Sequence, residues 1–233
     1  MNTLWTFGDS FTFGYACNEL CTTKKRLEYL PYKKDEDDIW PNHLGKLLNY
    51  DIKNLGKNGC SNECIFNTIL DNFNNIKEND IVIINMTYHG RIEVPVEDDI
   101  LNIFFNDKVF QNVKEKEKIK NALLPILKND TDVSVDEIYK TIINFQYYFM
   151  NSPYYKKRNI KKFKFLEERL FNEKKIKFCF LWGLEENKFI LDGFEKIQEH
   201  TNNQINDEHF SYNGHKEFSK YIYSRIINEK KLL

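Results

Sequence analysis

Apolar residues follow two rhythms along this chain. Short, nearly unbroken apolar runs occur at Leu4-Trp5-Thr6-Phe7, ending at Gly8, at Ile81 to Met86 and at Ile176 to Leu184, and Asp51-Ile52-Lys53-Asn54-Leu55 reads as a further short strand, stopped by Gly56. Runs this brief and this apolar predict strands of a parallel sheet covered on both faces. Between them, apolar positions three or four residues apart predict helices. One covers Ile39 to Leu48, with Pro41 in the first turn, where a missing N–H costs little. A second covers Asn62 to Ile76 through Ile65, Ile69, Leu70, Phe73 and Ile76, and a third covers Tyr212 to Ile227. Strands alternating with helices predict an α/β domain with helices on both faces of the sheet.

The alternation breaks between about Val94 and Asn159. There Ile100–Phe110, Lys116–Leu127 and Val135–Phe149 carry helical apolar spacing. The expectation is one domain, residues 1–233, with a helical insertion over about 94–170 packed as a cap on one end of the sheet. The insertion holds too much apolar side chain to remain a solvated linker. A basic run, Lys156-Lys157-Arg158 with Lys161-Lys162, lies beside Tyr154 and Tyr155. It reads as a solvated helix start or as a surface for an acidic ligand.

Charge narrows the function classes. Lys plus Arg number 34 and Asp plus Glu 35, a net charge of −1, which removes the usual reason to expect nucleic acid as partner. Five cysteines, Cys17, Cys21, Cys60, Cys64 and Cys179, argue against a closed disulfide framework because the number is odd. Cys17/Cys21 and Cys60/Cys64 both read C-x3-C, so a four-thiolate zinc site is conceivable. Without glycine-rich knuckles, the expectation is reduced, half-buried thiols and no metal. No secretory leader pattern opens the sequence and no apolar run approaches the ~20 residues of a membrane span. A cytoplasmic location is therefore expected.

Three segments carry chemistry. Gly8-Asp9-Ser10-Phe11-Thr12-Phe13-Gly14 follows the first strand, and in open α/β sheets ligands bind at the carboxyl ends of strands. His209-Phe210-Ser211-Tyr212-Asn213-Gly214-His215 precedes the last helix, from which a histidine can reach that serine and take its proton. Asn54-Leu55-Gly56-Lys57-Asn58-Gly59-Cys60-Ser61-Asn62 is a glycine-rich turn between strand and helix, whose N–H groups can face a developing oxyanion.

Together these segments resemble the SGNH/GDSL hydrolase family. Gly8-Asp9-Ser10 matches its first block, Gly59 the oxyanion glycine of its second, and His209 with Gly214 its fifth. Asp37-Ile39-Trp40-Pro41, Leu44 and Asn54-Leu55-Gly56 are similar to a branch found in phages and polysaccharide loci. The resemblance implies a three-layer α/β/α flavodoxin-like sheet and a serine esterase working through an acyl-enzyme. Ser10 would be the nucleophile and His209 the base, with the Ser10 and Gly59 N–H groups in the oxyanion hole and no cofactor. It implies a small-molecule or glycan ester as substrate, an O-acetyl group on a carbohydrate first among them. Two departures stand out. The family's aspartate three residues before the histidine is Asn206 here, with Asp207 one place later, so Asp207 or Asn206 would support His209. The third block, normally ending Gly-x-Asn-Asp, reads Asn85-Met86-Thr87-Tyr88-His89-Gly90-Arg91, and His89 takes the asparagine's place as oxyanion donor, with Thr87 and Asn85 as substitutes. Asp9, Asn62 and Arg91 are candidate substrate-binding residues. An O-acyltransferase using the same Ser–His pair, and a degenerate carbohydrate-binding or structural protein, are the alternatives.

Overall fold

The computed structural model describes residues 2–14, 39–96, 99–103, 135–150, 152–184, 190, 192–198 and 206–229. Four parallel strands form its main sheet in the order β2-β1-β3-β6: β1 Thr3–Phe7, β2 Asp51–Asn54, β3 Ile81–Met86 and β6 Phe178–Gly183. Each lies where the sequence predicts a strand.

Strand alternation divides the core in two. Leu4, Ile81, Ile83, Phe178 and Trp182 face one side, against Trp40 and Leu44 of α2 (Trp40–Leu48) and Phe218, Ile222 and Ile226 of α6 (Tyr212–Glu229). Trp5, Phe7, Val82, Ile84 and Cys179 face the other. There they meet Ile65 and Ile69 of α3 (Asn62–Asn72) and Phe163, Leu166 and Leu170 of α5 (Pro153–Lys174). The result is three layers, helix over sheet over helix. All six residues of β3 are buried, as a central strand requires.

Residues after β3 depart from the expected helices. Ile92–Val96 (β4) and Asp99–Ile103 (β5) pair antiparallel, so the helix expected over Ile100–Phe110 starts instead as a strand. The reason is the two-residue rhythm of β-branched Ile92, Val94 and Val96, which suits a pleated ribbon better than a helix. Among the described residues the hairpin has two strands, each an edge, where Pro95 is tolerated. The stretch Lys116–Leu127 lies outside the described residues. Val135–Phe145 is helical (α4) and continues as a π turn through Gln146–Met150. α5 begins behind the cap of Ser152, whose hydroxyl accepts from the Tyr155 N–H, and packs on the sheet as one of the layer helices.

Candidate active site

The first turn after β1 is built by Asp9. Its carboxylate caps the short helix α1 (Ser10–Phe13) by accepting the Phe11 N–H at 3.1 Å. The second oxygen accepts from the Thr87 hydroxyl at 2.7 Å and from Arg91 Nη1 at 3.2 Å. Asp9 is fully buried, so its polar atoms face protein rather than a ligand. Arg91 also donates to the Cys60 carbonyl at 3.2 Å, tying the loop after β3 to the loop after β2.

Ser10 thus sits at the first position of α1. Its Oγ lies 2.8 Å from His209 Nε2, although 199 residues separate them in sequence. The His209 ring stacks on Phe11 at 4.7 Å between centroids. His209 is the penultimate residue of β8 (Asn206–Phe210), which pairs antiparallel with β7 (Lys196–Gln198). Lys196 pairs with Phe210 and Gln198 with Asn206, so two residue steps on β7 oppose four on β8 and β8 bulges across 207–209. Bulges of this kind re-aim side chains beside active sites. The side chains of Asn206 and Asp207 lie outside the described residues.

After His209 the chain enters α6 beneath Glu195, whose carbonyl accepts the Ser211 N–H. Gly214 passes so close to that carbonyl that a Cβ there would collide with it. This gives the glycine five residues after the histidine a packing reason.

The turn after β2 places Gly59 at φ 74°, with the Cys60 N–H closing onto the Lys57 carbonyl at 3.2 Å. A positive φ at the third position of such a turn favours glycine. Among the described residues, no hydrogen bond engages the main-chain N–H of Ser10 or of Gly59. Cys60 and Cys64 form a disulfide across the first turn of α3. This corrects the expectation of reduced thiols there and removes these two from any four-thiolate zinc site. Cys17 and Cys21 lie outside the described residues. Cys179 is free and buried, and burial pushes its thiol well above its ordinary range. Among the described residues no cluster of His, Cys, Asp or Glu is arranged to hold a metal, and no helix is long and apolar enough to cross a membrane.

Asn62 holds the third loop. Its Oδ1 accepts the Thr87 N–H at 2.9 Å and its Nδ2 donates to the Thr87 carbonyl at 3.0 Å. Both ends of the amide are thereby engaged by main chain, which fixes its orientation. The same Nδ2 lies 3.4 Å from His89 Nδ1, and Asn159 Nδ2 from α5 lies 3.3 Å from it. Two amide nitrogens facing Nδ1 suit the tautomer that carries its proton on Nε2. Of the other two oxyanion substitutes, the Thr87 hydroxyl is bonded to Asp9 and the Asn85 amide to the Met86 carbonyl.

Sequence reasoning missed Asn159 and the disulfide. Asn159 was hidden by its place in a basic helix, where a lone asparagine gives no signal. The basic run beside it is now placed: Lys157, Arg158 and Lys161 are exposed, Lys162 pairs with Glu63 at 2.7 Å, and Arg158 lies over the Tyr155 ring at 5.8 Å.

No protein-family model matches the sequence, and no curated protein sequence does. Solved structures do. One is a protein assigned to the lipolytic G-D-S-L family, from Desulfitobacterium hafniense DCB-2, at 15% identity and TM-score 0.36, covering 97% of this chain and 99% of that one. Another is a family two carbohydrate esterase from Clostridium thermocellum, at 12% identity and TM-score 0.41, covering 100% of this chain and 65% of that one. A third is an acetyl xylan esterase from Butyrivibrio proteoclasticus, at 13% identity and TM-score 0.36, covering 97% and 64%. The chain thus spans about two thirds of the length of these two esterases.

Proposed function

We propose that this chain is a serine esterase that cleaves a carboxylic ester through an acyl-enzyme, with an O-acetyl group on a carbohydrate as substrate. The observation that carries the reading is the 2.8 Å contact between Ser10 Oγ and His209 Nε2 at the carboxyl end of a parallel sheet. A hydroxyl in hydrogen-bond reach of an imidazole is the arrangement that serine acyl transfer requires.

Ser10 Oγ attacks the carbonyl carbon while His209 Nε2 takes its proton. The carbonyl oxygen becomes an oxyanion and turns toward the Ser10 and Gly59 N–H groups. Each such donor is worth roughly 3–4 kcal/mol in related chemistry. His89, with its proton on Nε2, is the third donor in this scheme. The C–O bond then breaks, and His209 returns the proton to the leaving alkoxide. Water repeats the sequence on the acyl-enzyme. Asp207 orients His209 and stabilises the imidazolium. The bulge of β8 across 207–209 supports this choice, because it supplies the altered local path that a carboxylate one place late requires.

The test is p-nitrophenyl acetate turnover together with fluorophosphonate labelling. Wild type should turn over and carry one label, on Ser10, and Ser10→Ala should lose both. Unchanged turnover in Ser10→Ala would sink the assignment. An added sugar acceptor that captures the acyl group faster than water would shift the reading to acyl transfer.

A further inference from the structure

Trp40 joins the two halves of the Ser10–His209 pair. Its indole Nε1 donates to the Phe11 carbonyl at 2.9 Å, one residue past Ser10. Its main-chain N–H donates to His215 Nδ1 at 3.3 Å. That N–H is the first of α2, whose cap residue Ile39 offers no side-chain acceptor. Helix-initial N–H groups need a partner, and here a ring from the other end of the chain provides it.

The contacts close into a circuit. Phe11 stacks on His209 at 4.7 Å and meets Phe210 edge-on at 5.3 Å. Phe210 meets His215 edge-on at 5.4 Å. His215 returns through Trp40 to Phe11. Trp40 is fully buried and His215 is 1% exposed, so neither link is shared with bulk solvent. An accepting Nδ1 also fixes the tautomer of His215 with its proton on Nε2.

We propose that His215 is a positioning residue of the Ser10–His209 site. By accepting the Trp40 N–H it locks α2 against α6, and through Phe11 it holds the nucleophile helix at bonding distance from the base. The inference rests on the esterase reading. It differs from a packing role in needing an acceptor at the Nδ1 position, not merely a ring of similar volume. His215 must also remain uncharged, because a second cation near His209 would oppose the imidazolium formed when Ser10 gives up its proton.

Three variants separate the possibilities: His215→Asn, His215→Gln and His215→Phe. Asparagine carries its carbonyl oxygen where Nδ1 stood, glutamine carries it one bond too far, and phenylalanine keeps the ring without an acceptor. Turnover of p-nitrophenyl acetate is divided by the concentration of serine titrated with fluorophosphonate, so misfolded protein does not count. A displacement on the order of 1 Å can cost about a hundredfold in rate. By that scale, Gln and Phe should lower kcat per active serine by about tenfold or more, KM staying within about twofold, and Asn should recover most of the loss. If the Phe variant fails to fold, the Asn–Gln contrast still decides. Equal kcat per active serine in Asn and Gln would overturn the proposal while leaving the esterase reading intact. A wild type that neither turns over nor takes the label would overturn both.

Discussion

Asp9→Asn tests the claim that the turn carrying Ser10 is held by a buried carboxylate. The Asp9 carboxylate is fully buried and accepts three donors: the Phe11 N–H, the Thr87 hydroxyl and Arg91 Nη1. Asparagine keeps one acceptor oxygen, enough for the Phe11 N–H. It puts an NH2 group where Oδ2 stood, facing the hydroxyl of Thr87 and the guanidinium of Arg91. Two charge-assisted bonds are then lost, each worth about 1.5–3 kcal/mol. Arg91 is 12% exposed and keeps the Cys60 carbonyl, which softens the loss of its counter-charge. The expected destabilisation is about 3–4 kcal/mol, within the range for breaking a buried pair from one side. Urea unfolding followed by the fluorescence of Trp5, Trp40 and Trp182, all buried, measures it. Arg91→Met in the same background removes the cation that has lost its carboxylate, so the double variant should be at least about 1 kcal/mol more stable than the sum of the single effects. A loss under about 1 kcal/mol in Asp9→Asn, or strict additivity in the cycle, would refute the reasoning.

Other outcomes follow from the same geometry. His209→Ala should lower kcat by about a thousandfold or more with the protein still folded, read by p-nitrophenyl acetate hydrolysis and circular dichroism. Asp207→Asn should cost at least about a hundredfold in kcat, and Asn206→Ala far less; the reverse order would move the supporting role to Asn206. Replacing Cys60 and Cys64 by serine opens a loop of sequence separation 4 and should cost about 2 kcal/mol by the chain-entropy relation, measured by denaturation with and without a dithiol. His215 is held down to about 3 from its ordinary 6.5, first by burial and then by His209 and His43. The unfolded chain therefore binds a proton that the folded chain refuses. This contribution to stability is complete above pH 6.5 and is lost as pH falls from there toward 3, with a slope of up to about 1.4 kcal/mol per pH unit. His215→Asn should flatten that limb of the pH–stability curve.

What the sequence disclosed was whatever leaves a local pattern. The apolar runs at Leu4, Ile81 and Phe178 needed no partner to be read as buried strands, and the serine and histidine came with their own glycines. The hairpin at Ile92–Ile103 was misread as starting a helix because Ile100, Leu101 and Ile103 fit either rhythm over so short a span. The disulfide was not legible because an odd cysteine count says nothing about which pair lies close. The brace through Trp40 and His215 was invisible for a different reason. It is a contact between a main-chain N–H and a ring 175 residues away, and no spacing rule encodes such a pair.

The placement of Ser10 needs more than the apolar layers. Burial of Leu4, Trp5 and Phe7 stacks β1 between helices, and its parallel ladders with β2 and β3 fix its register, because a one-residue slip would turn every side chain to the other face. Two aspartates add directional bonds at its ends. At the amino end of β1, Asp80 accepts the Thr3 N–H and the Trp5 indole N–H, each at 2.8 Å, and the Lys77 N–H at 2.9 Å. At the carboxyl end, Asp9 engages Thr87 and Arg91 from the loop after β3. Both sets of bonds join β1 to the segments flanking β3, so the strand is fixed at its two ends against the same neighbour. The Ser10 hydroxyl at hydrogen-bond distance from the His209 ring gains from this definition, because directional bonds in a dry interior are lost with displacements that dispersion contacts tolerate. The apolar pattern and the strand ladders therefore decide the layer and register to which Ser10 belongs, and the buried carboxylates tie down the two ends of its strand.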